Sequence, residues 1–408
     1  MQAGSGGVEG QLMISLAWDG DRVTGVDISS SRPLQMPRIF AGKSMDYLLG
    51  TVPLLFSLCG TAQACAAVTA CEQAMGQEAG ERGKAGRALL VLLETAKEHA
   101  WRINHGWAEL LGEREQPEPV ARLIALMSRF RAALYGELNP FLPGAAPVPD
   151  RPDQLFPLLA QLEEILEESI YSGTVADWLT LDSRDQLLAW ASAGETLAAR
   201  FIDHLVTGRL ASVGSAHKRA LPALDTGALD SQLAAEDAAL FIARPSWEGD
   251  SCETGPFTRM LERPLMAALR RDYGDGLLTR ATARLLELAT IPEQLWALVD
   301  RLALDGAEGV ASGSRQLAPG RGIAQVEAAR GRLVHRVELA DGMVAGYQIL
   351  APTEWNFHPD GVLAQGLAAL QAGSEEELRQ QARMLINAID PCVSFELEIS
   401  TRRSGMPG

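Results

Sequence analysis

Several absences narrow the chemistry open to this 408-residue chain. Basic residues are in the minority: 36 Lys and Arg stand against 52 Asp and Glu, for a formal charge of −16. That balance disfavours tracking of a phosphate backbone, so no nucleic-acid partner is expected. Cysteines are few and odd in number: Cys59, Cys65, Cys71, Cys252 and Cys392. Met1 to Gly10 has neither a basic stretch nor an apolar run, which predicts no secretory signal. Together these features predict reduced thiols in the cytoplasm rather than a disulfide framework. There is no His-x-x-x-His pair, no Gly-x-x-x-x-Gly-Lys-Ser/Thr loop and no Gly-x-Ser-x-Gly elbow. A nucleophilic or phosphate-cradling enzyme is therefore disfavoured.

Charge itself is missing from Tyr47 to Cys71, a run long enough to span a bilayer. Gly50, Pro53, Gly60 and Gln63 interrupt it, and its second half is rich in Ala and Cys. The reading is a buried loop followed by a tightly packed core helix, with no membrane insertion.

What is present is a chain 47% hydrophobic, able to bury a large core. Gln11 to Trp18 alternates apolar and polar, Asp19-Gly20-Asp21 turns, and Arg22 to Ile28 resumes the alternation, which predicts a hairpin. Helical periodicity follows over about 80–111, 120–138, 155–170, 177–206, 257–271 and 276–304, with a loop-like stretch at 208–230. Arg332–Leu339 and Met343–Leu350, joined by Ala340-Asp341-Gly342, predict a second hairpin, and 375–389 a last helix. The predicted fold class is α+β: a central helical bundle with β-hairpins near the N-terminus and in the C-terminal third. One unit over 1–408 is expected, with an N-terminal hairpin at 10–28, a helical middle at 80–304, and a hairpin and cysteine motif at 325–400.

Two cysteines sit in short frames that would be metal clamps if each held a second thiolate. They are Cys59-Gly60-Thr61-Ala62 and Asp390-Pro391-Cys392-Val393-Ser394-Phe395, with Ala62 and Phe395 at the positions a second cysteine would take. Thiolates suit iron, copper, zinc or nickel. Lone cysteines are equally at home as buried inert side chains, and spacing does not choose between the two. Cys65 and Cys71 follow at steps of six, which on a helix sends the thiols in different directions, so both are read as core. His99, His105, His335 and His358 are scattered and are read as surface or hydrogen-bonded structural residues.

Taken in order, the short frames resemble those of a known family. Val8-Glu9-Gly10-Gln11-Leu12 resembles the Arg-x-Glu-Gly-His that opens the large subunit of nickel-iron hydrogenases. Leu58-Cys59-Gly60-Thr61-Ala62 is similar to its Arg-Ile-Cys-Gly-x-Cys, and Glu253-Thr254-Gly255-Pro256-Phe257-Thr258-Arg259 to its Glu-x-Gly-Pro-Leu-Ala-Arg. Glu327-Ala328-Ala329-Arg330-Gly331 with His335 resembles Glu-Ala-Pro-Arg-Gly-x-Leu-x-His. Tyr347-Gln348 and Pro352-Thr353-Glu354-Trp355-Asn356 look like Tyr-Gln and Pro-Thr-x-Trp-Asn, and Asp390-Pro391-Cys392 like the start of Asp-Pro-Cys-x-x-Cys-x-x-His. The set runs from residue 8 to 395; about 110–245 adds little to it.

The departures carry the functional reading. In the hydrogenases the two second-position thiolates bridge nickel to an iron bearing carbon monoxide and cyanide; here those positions are Ala62 and Phe395. The terminal histidine falls at Glu398, and Gly7 and Gln11 replace Arg and His in the opening motif. Hydrogen turnover is not expected, and no nickel. Cys59 and Cys392 retained on such a scaffold resemble the HupK/HoxV-type hydrogenase accessory proteins. That resemblance implies a non-enzymatic scaffold that transiently holds or relays iron with cyanide and carbonyl ligands to the hydrogenase large subunit. It further implies a small iron-delivering maturation chaperone as partner. Cys59 and Cys392 are the implied metal ligands. Arg330 and Thr353 would face the cyanides, Glu9 would hydrogen-bond a thiol, and Asp390 would orient Arg330 or cap a helix. Glu253 and Arg259 are read as structural. The alternative is a non-catalytic structural or interaction subunit of a redox complex with a vestigial hydrogenase-like site.

Overall fold

The sequence predicts a strand at Gln11–Trp18 because every second residue is apolar, and the structure realises that alternation in full. In this computed structural model, which describes residues 10–148, 152–304 and 317–401, Leu12, Ile14, Leu16 and Trp18 of β1 (Gln11–Trp18) are buried while their neighbours are not. Strand β2 (Val23–Ser30) returns antiparallel, with Ile14 opposite Ile28. The other edge of β1 is taken by β6 (Ser394–Thr401), which runs parallel in an unbroken register from Gln11↔Ser394 to Trp18↔Thr401. The sheet order is β2-β1-β6. This pairing of residues nearly four hundred positions apart carries the second cysteine frame to the N-terminal end of the chain.

A second sheet, β3-β4-β5, is a meander of Arg321–Ala328, Gly331–Ala340 and Met343–Leu350. The predicted hairpin is β4–β5; β3 is an additional strand. Its Gly322 is a point of close approach, because a Cβ there would lie 1.9 Å from the carbonyl oxygen of Ala70. β3 can therefore lie directly on the small-residue face of helix α2 (Gly60–Ala74), whose Ala62, Ala66, Ala67 and Ala70 are fully buried.

The charge-free stretch corrects one expectation. Its first half is helix α1 (Met45–Leu55), not a loop, started by Ser44, whose hydroxyl accepts from the Tyr47 amide at 3.2 Å. α1 and α2 form one core with the second sheet, while Leu54 remains exposed on α1. Among the described residues no helix is long and apolar enough to cross a membrane.

The helical middle contains α3 (Glu81–Trp101) and the long α4 (Leu277–Leu304), packed against each other in the largest apolar core. α3 widens into a π-turn over Arg102–Trp107 before closing at Ala108–Leu111. Such turns displace side chains from the ordinary helical stripe. The single helix expected over 177–206 is three, Val175–Trp178, Arg184–Ala193 and Leu197–Thr207. Ser183 and Thr196 stop the chain and recap it: Gln186 accepts from the Ser183 amide, and Thr196 accepts from that of Ala199 at 3.3 Å. The stretch 208–230 ends not as loop but in the helix Thr226–Ala234, capped by Asp225. The last helix, α5 (Glu375–Ile389), falls where its periodicity placed it, capped by Ser374.

Gly322→Ala tests the contact that fixes the second sheet on α2. The added methyl must push β3 away, and overpacking of this kind costs about 1–3 kcal/mol. A lowered thermal midpoint relative to Gly346→Ala is expected, since a Cβ at Gly346 meets nothing closer than 3.7 Å. Equal melting of the two variants would contradict the packing.

Candidate metal-binding site

Cys59 occupies the residue before α2, and its side chain does not cap that helix. The cap comes from α3: Glu94 accepts the Thr61 and Ala62 amides at 2.8 and 2.9 Å. A carboxylate thus satisfies the first-turn N–H groups and suits the helix dipole. Burial nevertheless raises the Glu94 carboxyl above its ordinary range, against the pull of those two amides. Gly60 lets α1 approach to 3.1 Å between its would-be Cβ and the Pro53 carbonyl oxygen. The start of α2 is thus held from both sides, with Cys59 half-buried at its head.

Cys392 is delivered by the end of α5. Asp390 leaves the helix in the left-handed region, φ 68°, which turns Pro391 and Cys392 away from the helix axis and into β6. The Asp390 carboxylate is buried among three guanidiniums. Arg102 from the π-turn donates to Oδ1, Arg330 Nε lies 3.3 Å from Oδ1, and Arg284 Nη2 of α4 lies 3.4 Å from Oδ2. Burial alone would push this carboxyl up; the charges of Arg102, Arg330 and Arg284 override it and hold the group well below the usual carboxylate range. Of the two roles expected for Asp390, the geometry provides the one on Arg330: the residue lies at the C-terminal end of α5 and caps no helix N-terminus.

The two cysteine frames converge. The Cys59 thiol is pushed up to about 12, by burial first and then by the neighbouring Cys392 and Glu94 charges. Thr353 Oγ1 lies 2.8 Å from Cys392 Sγ. Arg330 is buried with Nη1 on Glu98 Oε2 at 2.9 Å, and its Nε forms an ion pair with Asp390 without hydrogen-bond alignment. Burial works against the Arg330 charge, but Asp390, Glu98 and the sulfurs of Cys392 and Cys59 keep its pKa above the ordinary value. Glu9 lies outside the described residues.

The remaining short frames lock Arg330 in place. Asn356 accepts from the Thr254 amide at 3.0 Å and donates to the carbonyls of Thr254 and Arg330 at 2.8 and 3.4 Å. Gly331 has φ 131°, and a Cβ there would strike the Thr254 side chain at 2.6 Å. Arg259 donates to Ala329 O at 3.2 Å, Glu327 at 2.9 Å and Glu287 at 2.8 Å. Burial opposes ionisation of Glu287, yet the Arg259 charge and the His99 hydrogen bond bring it down to about 2. Glu253 pairs with buried Arg280. Both Glu253 and Arg259 lie in ion-pair networks behind the thiol pair.

Several neighbours went unnoticed in the sequence. Arg32 is buried beside Glu354, 2.7 Å away, and responds to the charges of both sulfurs. Gln63 donates to Cys59 Sγ at 3.5 Å and accepts from His335 Nε2 at 2.7 Å, while His335 Nδ1 takes the Tyr347 hydroxyl at 2.5 Å. That chain fixes the His335 tautomer as Nε2–H, and burial drives its pKa down to about 3, so it is neutral. Gln63 had a visible signal, being the one amide in the charge-free run. Arg32, Glu94, Glu98, Arg102 and Arg284 had none, since each is one charged residue among many.

Residues 214–394 match the nickel-dependent hydrogenase family. The fold is that of a hydrogenase large subunit: the Ni-Fe-Se hydrogenase of Desulfomicrobium baculatum, in its reduced, active form, superposes with a TM-score of 0.65 at 17% identity, over 92% of this chain and 94% of that one. At that identity the likeness concerns the fold alone. Two relatives match nearly end to end. The hydrogenase expression/formation protein HupV of Azotobacter chroococcum mcd 1 is 31% identical, and HupK of Azotobacter vinelandii 32%; each match covers 96% of this chain and 98% of the relative. The chain belongs to the family of hydrogenase expression/formation proteins.

The raised Cys59 thiol predicts low reactivity in the metal-free protein. At pH 8 its thiolate fraction falls well below that of a free cysteine. Alkylation followed by peptide mass spectrometry should find Cys59 nearly inert. Glu94→Gln, which removes a negative neighbour, should speed its labelling. Alkylation at the free-thiol rate would contradict the site's electrostatics.

Proposed function

We propose that this protein is an accessory scaffold in nickel-iron hydrogenase maturation. In this reading it holds the iron group with its cyanide and carbonyl ligands and passes it to the hydrogenase large subunit, without turning over hydrogen itself. The observation that carries the reading is the convergence of Cys59 and Cys392 beside Arg330, with Thr353 on the second sulfur.

The donor set fits such a cargo. Cys59 and Cys392 are soft ligands suited to low-spin iron. Cyanide bound to iron is a hydrogen-bond acceptor carrying partial negative charge. The guanidinium of buried Arg330 and the Thr353 hydroxyl would be the donors it needs where water is excluded. Two thiolates are a poor cage for a bare resident metal, and among the described residues no group of three or more His, Cys, Asp or Glu is placed to hold one. A group that arrives with its own strong-field ligands needs fewer from the protein and leaves more easily. Ala62 is fully buried with its amide on Glu94, and Phe395 packs against the core, so neither position offers a further ligand.

The protein's own residues have definite tasks in this scheme. Both thiols must lose their protons when iron is accepted, so loading releases acid and is favoured by raised pH. Gln63, oriented by His335, donates to Cys59 Sγ and favours the thiolate form. Arg32 and Arg330 supply positive charge to the two sulfurs. A cleft of about 610 Å³ is lined by Arg330 and by Leu58, Pro391 and Phe395, sequence neighbours of Cys59 and Cys392 but not the cysteines themselves, and would be the approach to them. The partners expected from this role are the hydrogenase large subunit as recipient and a small iron-delivering chaperone as donor, with the cytoplasm as the place of assembly.

Infrared spectroscopy and metal analysis of protein purified anaerobically from its own host test the reading. Cyanide and carbonyl bands with iron and little nickel are expected, lost in Cys59→Ala and in Cys392→Ala together with hydrogenase maturation. Maturation supported equally well by either alanine variant would overturn the iron-carrier role and leave a purely structural one.

A further inference from the structure

Strand β6 is an edge. The order β2-β1-β6 pairs it on one side alone, and among the described residues no backbone group bonds to its other side. Two carbonyls show which groups that open side presents. Leu16 O of β1 points at β6 and takes the Ser400 hydroxyl at 3.3 Å, whereas Leu397 O points away from β1 and takes the Arg379 guanidinium at 3.2 Å. Backbone groups alternate in direction along a strand, so Phe395 and Ile399 turn their N–H and C=O outward with Leu397. Their side chains are uncovered too. All three are half-buried, while Leu12, Ile14 and Leu16 opposite them on β1 are buried.

Charge marks the same place independently. The cleft that Phe395 and Leu397 line is also lined by four arginines and one glutamate, on a chain whose acidic residues outnumber the basic ones 52 to 36. Arg379 and Arg383 stand one turn apart on α5. Glu375 and Glu109 hold them through exposed ion pairs at 2.7 and 2.6 Å, which water and salt screen and an incoming carboxylate can replace. Four residues along a helix advance about 6 Å and two along a strand about 6.6 Å. Carboxylates at alternate positions of an extended segment therefore match the two guanidiniums. The solvent face of β6 carries the opposite sign, with Glu396 and Glu398 exposed.

We infer that β6 is a docking edge for an extended segment of a partner protein, added as a fourth strand. The segment alternates acidic residues, turned inward to Arg379 and Arg383, with basic residues, turned outward to Glu396 and Glu398. Main-chain hydrogen bonds to Phe395, Leu397 and Ile399 supply the binding, and the alternating charges supply the choice of partner. A second copy of this chain fits poorly, because pairing two β6 edges sets Glu396 and Glu398 against their own kind. β6 begins two residues after Cys392, so a segment seated here lies beside the second cysteine frame. The docking edge does not rest on the cargo reading.

A fluorescein-labelled peptide, Thr-Lys-Glu-Lys-Glu-Lys-Val-Thr, is the probe, titrated into the full-length protein and followed by anisotropy. Saturation at one peptide per chain is expected. Two derivatives, methylated on one or the other set of alternate backbone nitrogens, keep every charge; the set that faces β6 should lose binding. Arg383→Glu should weaken it about tenfold. Ile399→Pro removes an N–H from the open edge alone, leaves the ladder to β1 whole, and should abolish binding. No saturable binding, equal binding of all three peptides, or a folded Arg383→Glu that binds as wild type would overturn the inference. The methylated peptides test the wild-type protein, so they decide the matter even if a variant does not fold. A dimer in sedimentation velocity that Ile399→Pro dissolves would give the edge to a second copy and overturn it as well.

Discussion

Asp390 is the pin on which the site turns. Its carboxylate gathers Arg102 from the turn after α3, Arg284 from α4 and Arg330 from the β3–β4 turn. The same residue ends α5 in the left-handed region and aims Pro391-Cys392 at Thr353. One buried carboxylate therefore fixes both the cation that faces the thiols and the direction of the second thiol. Removing one partner from such a buried cluster leaves uncompensated charge, a loss of about 3–5 kcal/mol, so placement and stability are tied together.

The pin works because the ends of the chain have already met. The parallel register of β1 with β6 sets the residues after Cys392 beside the N-terminal strand. Glu94 and the close Gly60–Pro53 contact set Cys59 at the start of α2. Each cysteine is placed by its own local machinery, and the two are then held in mutual range by the sheet and the ion cluster. A site assembled from opposite ends can open by small movements of either, which suits the proposed release of a cargo.

How far this was readable in the sequence follows from the range of each interaction. β1–β2, β4–β5 and α5 are local patterns, complete within about twenty residues, and all lie where alternation and helical periodicity put them. β6 carries a clean alternation, Phe395, Leu397 and Ile399 between Ser394, Glu396, Glu398 and Ser400, that the reading of this stretch as a cysteine motif passed over; its parallel pairing with β1, at the far end of the chain, had no local signal. The break of 177–206 into three helices was missed because Ser183 and Thr196 act as caps, while periodicity alone runs through them. Cys59, Cys392, Arg330, Thr353 and Asp390 stood in ordered short frames and could be named together. Arg32, Glu94, Arg102 and Arg284 could not, because contacts that reach across as many as 322 residues leave no spacing to read. The histidines divide: His99 and His335 are buried hydrogen-bonded residues, as read, and their partners came only with the fold.

The central claim is that Cys59 and Cys392 hold one iron together. X-ray absorption at the iron edge, on protein isolated anaerobically with its cargo, measures that directly. Sulfur scatterers from both cysteines are expected alongside the short carbon neighbours of the diatomic ligands, falling to a single sulfur when Cys392 is replaced by serine. An iron coordinated without sulfur, or with a sulfur count unchanged in Cys392→Ser, would contradict the account.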